Sequence, residues 1–305
     1  MCLNPKVSCP LLEELLAAAP ALQTQTQHSA WRTMRSALQL LCMNASISTD
    51  LLCLLLPHCN QGSEAVAEAF SFLWSNQALT PQLLEFVLQQ VPEAAKLQDK
   101  SGRLPLHLLC RNLTLKVEWL AALLLDFPEA AKQQDKYGCL PLHCLCENKS
   151  VNVECLSALL RDLPEAAKLQ DNLRGLPLHI LCGNHQVNVE CLSELLWAFP
   201  EAAKLQNMYG RLPLHFLCKN ESVNVDLLLQ AYLTHVLPSI LRPDARGVYP
   251  LKVLTLTFGF QKGTVTSQFV LELARAFQSE RTTSDHLSSS EKLQVLLQAC
   301  AQVGW

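Results

Sequence analysis

A repeat of 36 residues recurs along the middle of the chain and limits what the chain can fold into. Three full copies, a fourth copy and a degraded fifth begin at Asp99, Asp135, Asp171, Asn207 and Asp244. The tetrapeptide Leu-Pro-Leu-His begins at Leu104, Leu140, Leu176 and Leu212. Pro-Glu-Ala-Ala-Lys begins at Pro92, Pro128, Pro164 and Pro200. A repeat this short cannot bury its own apolar face, so the pattern predicts stacked helical repeats that share one core.

Each part of the repeat has a local preference, and together they predict two helices joined by turns. Asp at position 1 and Gly at position 4 favour a β-turn. The Pro of Leu-Pro-Leu-His suits the first position of a helix, which predicts a short helix over residues 105–110. Asn112 and the equivalent asparagines, such as Asn184, are predicted to end this helix in the left-handed conformation. A second helix begins after an N-cap such as Asn152, and Pro164 ends it and begins an extra turn.

The repeat resembles the ankyrin repeat, which has an Asp-x-x-Gly turn, a Pro-Leu-His helix start and a Val-x-x-Leu-Leu second helix. The matching or near-matching places are occupied here by Asp135, Gly138, Pro141, Leu142, His143, Val153, Leu156 and Leu160. The resemblance is clear from Pro92 to about Tyr232. The repeat looks like a long-repeat variant of the family, with Pro-Glu-Ala-Ala-Lys after the second helix. The resemblance implies an all-α, or nearly all-α, right-handed solenoid of about six repeats, with short turns or hairpins between helix pairs.

The repeat departs from the family pattern in three ways. The usual ankyrin period is ~33 residues, so a longer second helix or a longer exit loop is expected here. Leu replaces the Thr before Pro, which removes a capping hydroxyl typically worth about 1 kcal/mol and the usual Thr–His hydrogen bond. In the third repeat Arg174 takes the place of the turn glycine and Gly175 follows it. The sequence therefore leaves open whether that hairpin forms.

Histidine and cysteine recur three residues apart in the first helix, as His107/Cys110, His143/Cys146, His179/Cys182 and His215/Cys218. Such pairs suggest a zinc site or a thiol nucleophile with its base. Zinc needs about four ligands around one point, however, and packed helices lie roughly 8–10 Å apart. A catalytic site is also normally built once. We therefore expect structural roles for both residues, and neither catalytic residues, metal nor cofactor.

The positions that vary inside the constant repeat are the candidate partner-binding residues, because constant positions carry the packing. They lie in the turns, at Lys100, Ser101, Arg103, Lys136, Tyr137, Cys139, Asn172, Leu173, Met208, Tyr209 and Arg211. The ankyrin resemblance implies that hairpin tips and the first-helix face line the binding surface. Tyr and Arg are enriched in binding hot spots, which favours Tyr137, Tyr209 and Arg211 as anchors. Neutral variation of exposed turns is the alternative.

Composition predicts a cytoplasmic protein, with the nucleus as an alternative. The 24 basic and 27 acidic residues give a net charge of −3, which disfavours nucleic-acid binding. No apolar run approaches the about 20 residues that span a bilayer. Glu13 and Glu14 interrupt the apolar N-terminal segment, which is therefore a poor signal peptide. The 14 cysteines are then expected to be mostly reduced thiols.

The sequence divides into four segments. Residues 1–62 are predicted to form an N-terminal helical cap and a divergent repeat, and residues 63–98 a second divergent repeat. Residues 99–243 hold the four clear repeats, and residues 244–305 a degenerate repeat and a C-terminal helical cap. Closing helices are predicted over Gln268–Phe277 and Lys292–Ala301, with a polar segment between them.

These features predict a non-enzymatic interaction module or scaffold that binds another protein and does not bind nucleic acid or membranes, as a monomer. The alternative is a substrate adaptor or regulatory subunit of an enzyme complex such as a ubiquitin ligase, whose partner supplies the chemistry. A self-contained thiol or metal enzyme is the least favoured interpretation.

Overall fold

The structure is a computed structural model. It describes residues 38–39, 41–44, 47–56, 64–224, 242–258, 265–279, 294, 296–298 and 300–301. All secondary structure within these ranges is helical and none is β-strand, which confirms the predicted all-α class. Several predictions fall outside the described residues: the segment before residue 38, the second helix of the fourth repeat after residue 224, and residues 280–290 of the polar segment.

The chain divides into two compact parts, Met1–Cys144 and Leu145–Trp305, which we call the N-terminal half and the C-terminal half. The boundary falls inside the segment 99–243 that the sequence treats as one array. It lies between Cys144 and Leu145, within the second clear repeat.

Helices of the N-terminal half pack in sequence order. They are α1 (Thr49–Leu55), α2 (Glu64–Trp74), α3 (Pro81–Gln90), α4 (Pro105–Cys110) and α5 (Val117–Asp126), and α6 (Pro141–Glu147) contains the boundary. The first helices α2 and α4 pack on each other, α1 packs on α3, and α3 packs on α5. First helices thus contact first helices and second helices contact second helices, as stacking of equivalent repeats requires.

The C-terminal half repeats this arrangement. Its helices are α7 (Val153–Asp162), α8 (Pro177–Gly183), α9 (Val189–Ala198), α10 (Pro213–Lys219), α11 (Pro250–Phe258) and α12 (Val265–Ser279). The first helices α8, α10 and α11 pack in a row, α7 packs on α9, and α12 packs on α11. Helix α12 confirms the closing helix predicted at Gln268–Phe277, with longer bounds.

Local sequence signals set most helix ends as predicted. Proline begins the first helices α4, α6, α8, α10 and α11, and α4 spans residues 105–110. Asn152 caps α7 by accepting a hydrogen bond from the Cys155 N–H at 2.8 Å, and Asn188 caps α9 in the same way. Proline then begins a 3₁₀ turn after the second helix, at Pro128–Lys132, Pro164–Lys168 and Pro200–Lys204. The two alanines of each turn are buried, so this extra turn belongs to the core.

The left-handed end predicted for the first helix is wrong. Asn184 has φ −76° and ψ 129°, which is extended backbone. Its Nδ2 instead donates to the carbonyls of Cys146 and Asn148 in the preceding repeat, at 2.9 and 2.8 Å, while its Oδ1 accepts from the Gln186 N–H. The side chain satisfies carbonyls that the end of a helix leaves unpaired. The equivalent residues Asn76, Asn112 and Asn220 donate likewise.

Candidate protein-binding surface

The turns that carry the candidate residues share one backbone geometry. In the first clear repeat, Asp99 Oδ1 accepts from the N–H groups of Ser101 and Arg103 at 2.8 and 2.9 Å. Gly102 then adopts φ 73°, a left-handed conformation that glycine reaches without strain. The same carboxylate or amide acceptor at position 1 organises the turns at Asp135, Asp171, Asn207 and Asp244. The turn therefore holds positions 2, 3 and 5 in fixed places.

The turn of the third repeat forms although it has no glycine at position 4. Arg174 takes the left-handed conformation there, with φ 57°, and its N–H still donates to the Asp171 carbonyl at 2.9 Å. A non-glycine residue pays about 1–2 kcal/mol for this conformation. Gly175 lies next to it, and a Cβ at that residue would press on the Asp171 carboxylate, at 3.0 Å from Oδ2.

In the N-terminal half the candidate residues of two turns lie side by side. The Lys136 N–H donates to the Ser101 carbonyl at 2.9 Å, and Lys136 Nζ donates to the Lys100 carbonyl. Lys100 also pairs with Glu68 at 2.8 Å. Tyr137 is 63% exposed, whereas Cys139 and Arg103 are partly exposed. The structure thus brings these predicted residues onto one edge and leaves Tyr137 as its large exposed apolar group.

In the C-terminal half the candidate residues form a denser group. The Met208 N–H donates to the Leu173 carbonyl at 2.9 Å, which places two turns side by side. Leu173, Met208 and Tyr209 are each about half exposed, at 49%, 50% and 48%. Asn172 is also exposed.

Two arginines lie in the same turns. The Arg211 guanidinium carbon is 5.9 Å from the Tyr209 ring centroid, and its Nε is 3.6 Å from Asp244 Oδ2. Arg174 is exposed. We call Leu173, Arg174, Met208, Tyr209 and Arg211 the C-terminal tip cluster. An apolar group rimmed by polar side chains is typical of interaction sites.

The repeated histidines connect each first helix to the next turn. Nδ1 of His179 accepts from the Leu176 N–H at 3.1 Å, and Nε2 lies 3.1 Å from the Arg211 carbonyl oxygen. Because Nδ1 is an acceptor, the ring proton is on Nε2, which donates to that carbonyl. His107 and His215 reach the carbonyls of Cys139 and Val248 in the same way. His143 Nδ1 likewise accepts from the Leu140 N–H.

Burial keeps His107, His179 and His215 uncharged at neutral pH. It lowers the pKa of His179 to about 4, and it also lowers the pKa of His107 and His215. Cys110, Cys146, Cys182 and Cys218 are buried, and burial strongly raises the pKa of the Cys182 thiol. A protonated, buried thiol is neither a nucleophile nor a good metal ligand. Within the described ranges, no three His, Cys, Asp or Glu side chains are grouped so as to hold a metal ion.

The predicted partner-binding set omitted Arg174, although its departure from the turn pattern was visible in the sequence. It also omitted Trp197 and Leu125, which are 86% and 83% exposed on the second helices α9 and α5. Both occupy the same repeat position, and unlike the turn residues they lie within helices. They supply matched controls for the turns.

Comparison with known proteins gives no assignment. In the part of the chain that the structure describes, no helix is long and apolar enough to cross a membrane. No model of a known family matches the chain, and no curated protein matches it.

Proposed function

We propose that this protein is an interaction module of the ankyrin-repeat type, which binds another protein through variable side chains on its repeat turns. The observation that carries the proposal is the exposure of large apolar groups at those turns. Tyr137 is 63% exposed, and Leu173, Met208 and Tyr209 are about half exposed. Removing such side chains from water is favourable by roughly 25 cal/mol per Å² of apolar surface, and this gain is offset in part by the entropy lost on association.

Rigid presentation supports the same proposal. Each turn is held by its position-1 side chain, and neighbouring turns are joined by backbone hydrogen bonds such as Ala245 N–H to the Tyr209 carbonyl at 2.9 Å. The histidine behind each turn adds a third restraint, as His215 does at Val248. A surface that is already ordered loses little conformational entropy on binding, so more of the contact energy appears as affinity.

The proposal includes a cellular setting. A reducing compartment, the cytoplasm or the nucleus, suits a chain whose described cysteines are all free thiols, most of them buried. The repeats need no metal or cofactor for the binding role, because the turn residues make every contact that it invokes. We propose that the chain acts as a monomer.

Affinity capture tests the proposal with the full-length chain as bait. Tyr137→Ala with Tyr209→Ala removes the two exposed turn aromatics. Trp197→Ala with Leu125→Ala removes two more exposed apolar groups from helix faces and is the control. We expect proteins captured by the parent chain to be lost from the tyrosine variant and kept by the control. Unchanged capture by the tyrosine variant contradicts the proposal, and loss in the control alone moves the site to the second helices.

A further inference from the structure

Arg174 is a cation in a place where the backbone favours glycine. Gly102, Gly138, Gly210 and Gly247 occupy the equivalent places, all with positive φ. The strained Arg174 therefore makes its turn less stable than glycine would. Strain of this kind is typically kept at sites that act on a ligand, where the side chain compensates for it. Its neighbours Leu173, Met208 and Tyr209 are the exposed apolar groups described above.

The exposed charged side chains on the turns that carry this group are basic. Arg174 and Arg246 are exposed on the first and third of three successive turns. The acidic groups of those turns are directed into their own backbone. Asp171 Oδ1 accepts from the Leu173 and Gly175 N–H groups, and Asp244 Oδ1 accepts from the Arg246 and Val248 N–H groups. Asp244 is also paired with Arg211, and its side chain is only 5% exposed.

We propose that the C-terminal tip cluster and Arg246 bind a polypeptide segment in which carboxylates flank one large apolar side chain. This inference rests on the proposed function and adds the chemistry of the partner. The apolar side chain packs against Leu173, Met208 and Tyr209. Carboxylates pair with Arg174 and Arg246, while Arg211 is already occupied by Asp244 and stacks on the Tyr209 ring. A bidentate arginine–carboxylate contact gives the geometry that fixes the segment.

A polypeptide fits these observations better than a nucleic acid does. Nucleic-acid binding relies on many cations that neutralise successive phosphates. Here the cations are few, and the second helices of the same half expose acidic groups such as Glu154, Asp162 and Glu190. An extended phosphate backbone would meet that repulsion, whereas a short acidic segment need contact only the turns.

The test uses the full-length protein and short synthetic peptides with one central Phe flanked on each side by two Glu. Matched peptides replace Glu by Gln, or Phe by Gly. We expect binding by fluorescence anisotropy only when both Glu and Phe are present, weakened by added salt. Tyr209→Ala should weaken it about tenfold. Arg174→Gly should weaken it about fivefold while raising the unfolding temperature, since the charge and the strain are lost together. Arg161→Gln, an exposed arginine on α7, is the control and should bind like the parent.

Any other result of the peptide-binding experiment contradicts a specific part of the proposal. Equal binding of the Gln peptide, or no loss in Arg174→Gly, refutes the acidic partner while leaving the proposed function to the capture experiment. Binding that Tyr209→Ala does not weaken refutes the tip cluster as the site. Absence of binding by every peptide refutes the inference, as does tighter binding of an oligothymidylate of equal net charge, which would identify a nucleic-acid surface.

Discussion

The turns of the two halves share one backbone geometry and present different side chains. In the N-terminal half, glycine fills position 4 of both clear turns, and Lys100 and Arg103 are paired with Glu68 and Asp99. In the C-terminal half, Arg174 fills that position in one turn, and Leu173, Met208 and Tyr209 lie exposed beside it.

The comparison separates two roles within one repeat. The residues that hold the turns are alike in both halves: the position-1 acceptor, the histidine behind the turn and the asparagine after the first helix. The residues that differ are those that the backbone leaves to solvent. Substitutions of the residues that hold the turns should therefore lower stability equally in both halves. Substitutions of the exposed residues should instead affect partner binding differently in the two halves.

Removing the buried asparagines gives the largest expected effect and tests whether the two halves are built alike. Asn112→Ala and Asn184→Ala each leave two carbonyls of the preceding repeat without their side-chain donor. We expect each to lower the free energy of unfolding by about 3 kcal/mol, measured by urea denaturation. A large loss of unfolding free energy in one variant with none in the other would show that these asparagine hydrogen bonds stabilise only one of the two halves.

Acid should weaken the repeats through their neutral histidines. Burial lowers the pKa of His179 to about 4 from its ordinary value of 6.5, so the unfolded chain binds a proton that the folded chain excludes. The contribution of the neutral His179 to stability is then fully present above pH 6.5 and is lost as the pH drops from 6.5 toward 4. Between pH 7 and pH 5 we expect this residue to lower the free energy of unfolding by about 2 kcal/mol. Denaturant midpoints measured across this pH range check the loss. In His179→Gln the loss should shrink by that amount, and an unchanged pH dependence would contradict the assignment.

Exchanging glycine and arginine at position 4 should have opposite effects in the two halves. Arg174→Gly relieves the strained turn and should raise the free energy of unfolding by about 1 kcal/mol. Gly102→Arg imposes the same strain on the N-terminal half, where an added Cβ would lie 3.4 Å from Lys136 Cγ, and should lower it by about 1 kcal/mol. Thermal unfolding of both variants checks the signs. Two changes of the same sign would show that contacts, rather than backbone conformation, decide this position.

The smallest expected effect concerns the second helices. Lys116 precedes α5 and makes no side-chain hydrogen bond there, whereas Asn152 and Asn188 cap α7 and α9. Lys116→Asn should therefore stabilise the chain by about 0.5–1 kcal/mol, and Lys116→Ala, which supplies no cap, should not. Equal stability of the two variants by urea denaturation would indicate that the N–H groups at the start of α5 gain nothing from a cap.

The sequence predicted the helix starts, caps and turns that depend on residues adjacent in the chain. The start of α4 at Pro105, the cap at Asn152 and the extra turn at Pro164 follow from local preferences, and all three are present. The role of Asn184 was mispredicted because its acceptors are the carbonyls of Cys146 and Asn148, in the preceding repeat. A local pattern shows that the asparagine recurs, but the partners become visible only when repeats are stacked.

The sequence predicted where the candidate surface lies better than it predicted the contacts and backbone conformations of its residues. Variation within a constant repeat located the turns. It did not show that Arg211 is paired with Asp244, nor that Arg174 adopts the left-handed conformation beside a glycine that packs close to the Asp171 carboxylate. Both depend on distances between turns or across one turn, which residue types alone do not give.

Site-specific photo-crosslinking tests most directly whether the turns are where this protein meets its partner. The photoreactive residue p-benzoylphenylalanine would be placed at position 209 in the C-terminal tip cluster, at position 137, or at the helix position 197, each in the full-length chain. The account predicts crosslinked partner from positions 209 and 137 and none from 197. Crosslinks from position 197 alone would contradict it and would place the binding surface on the second helices.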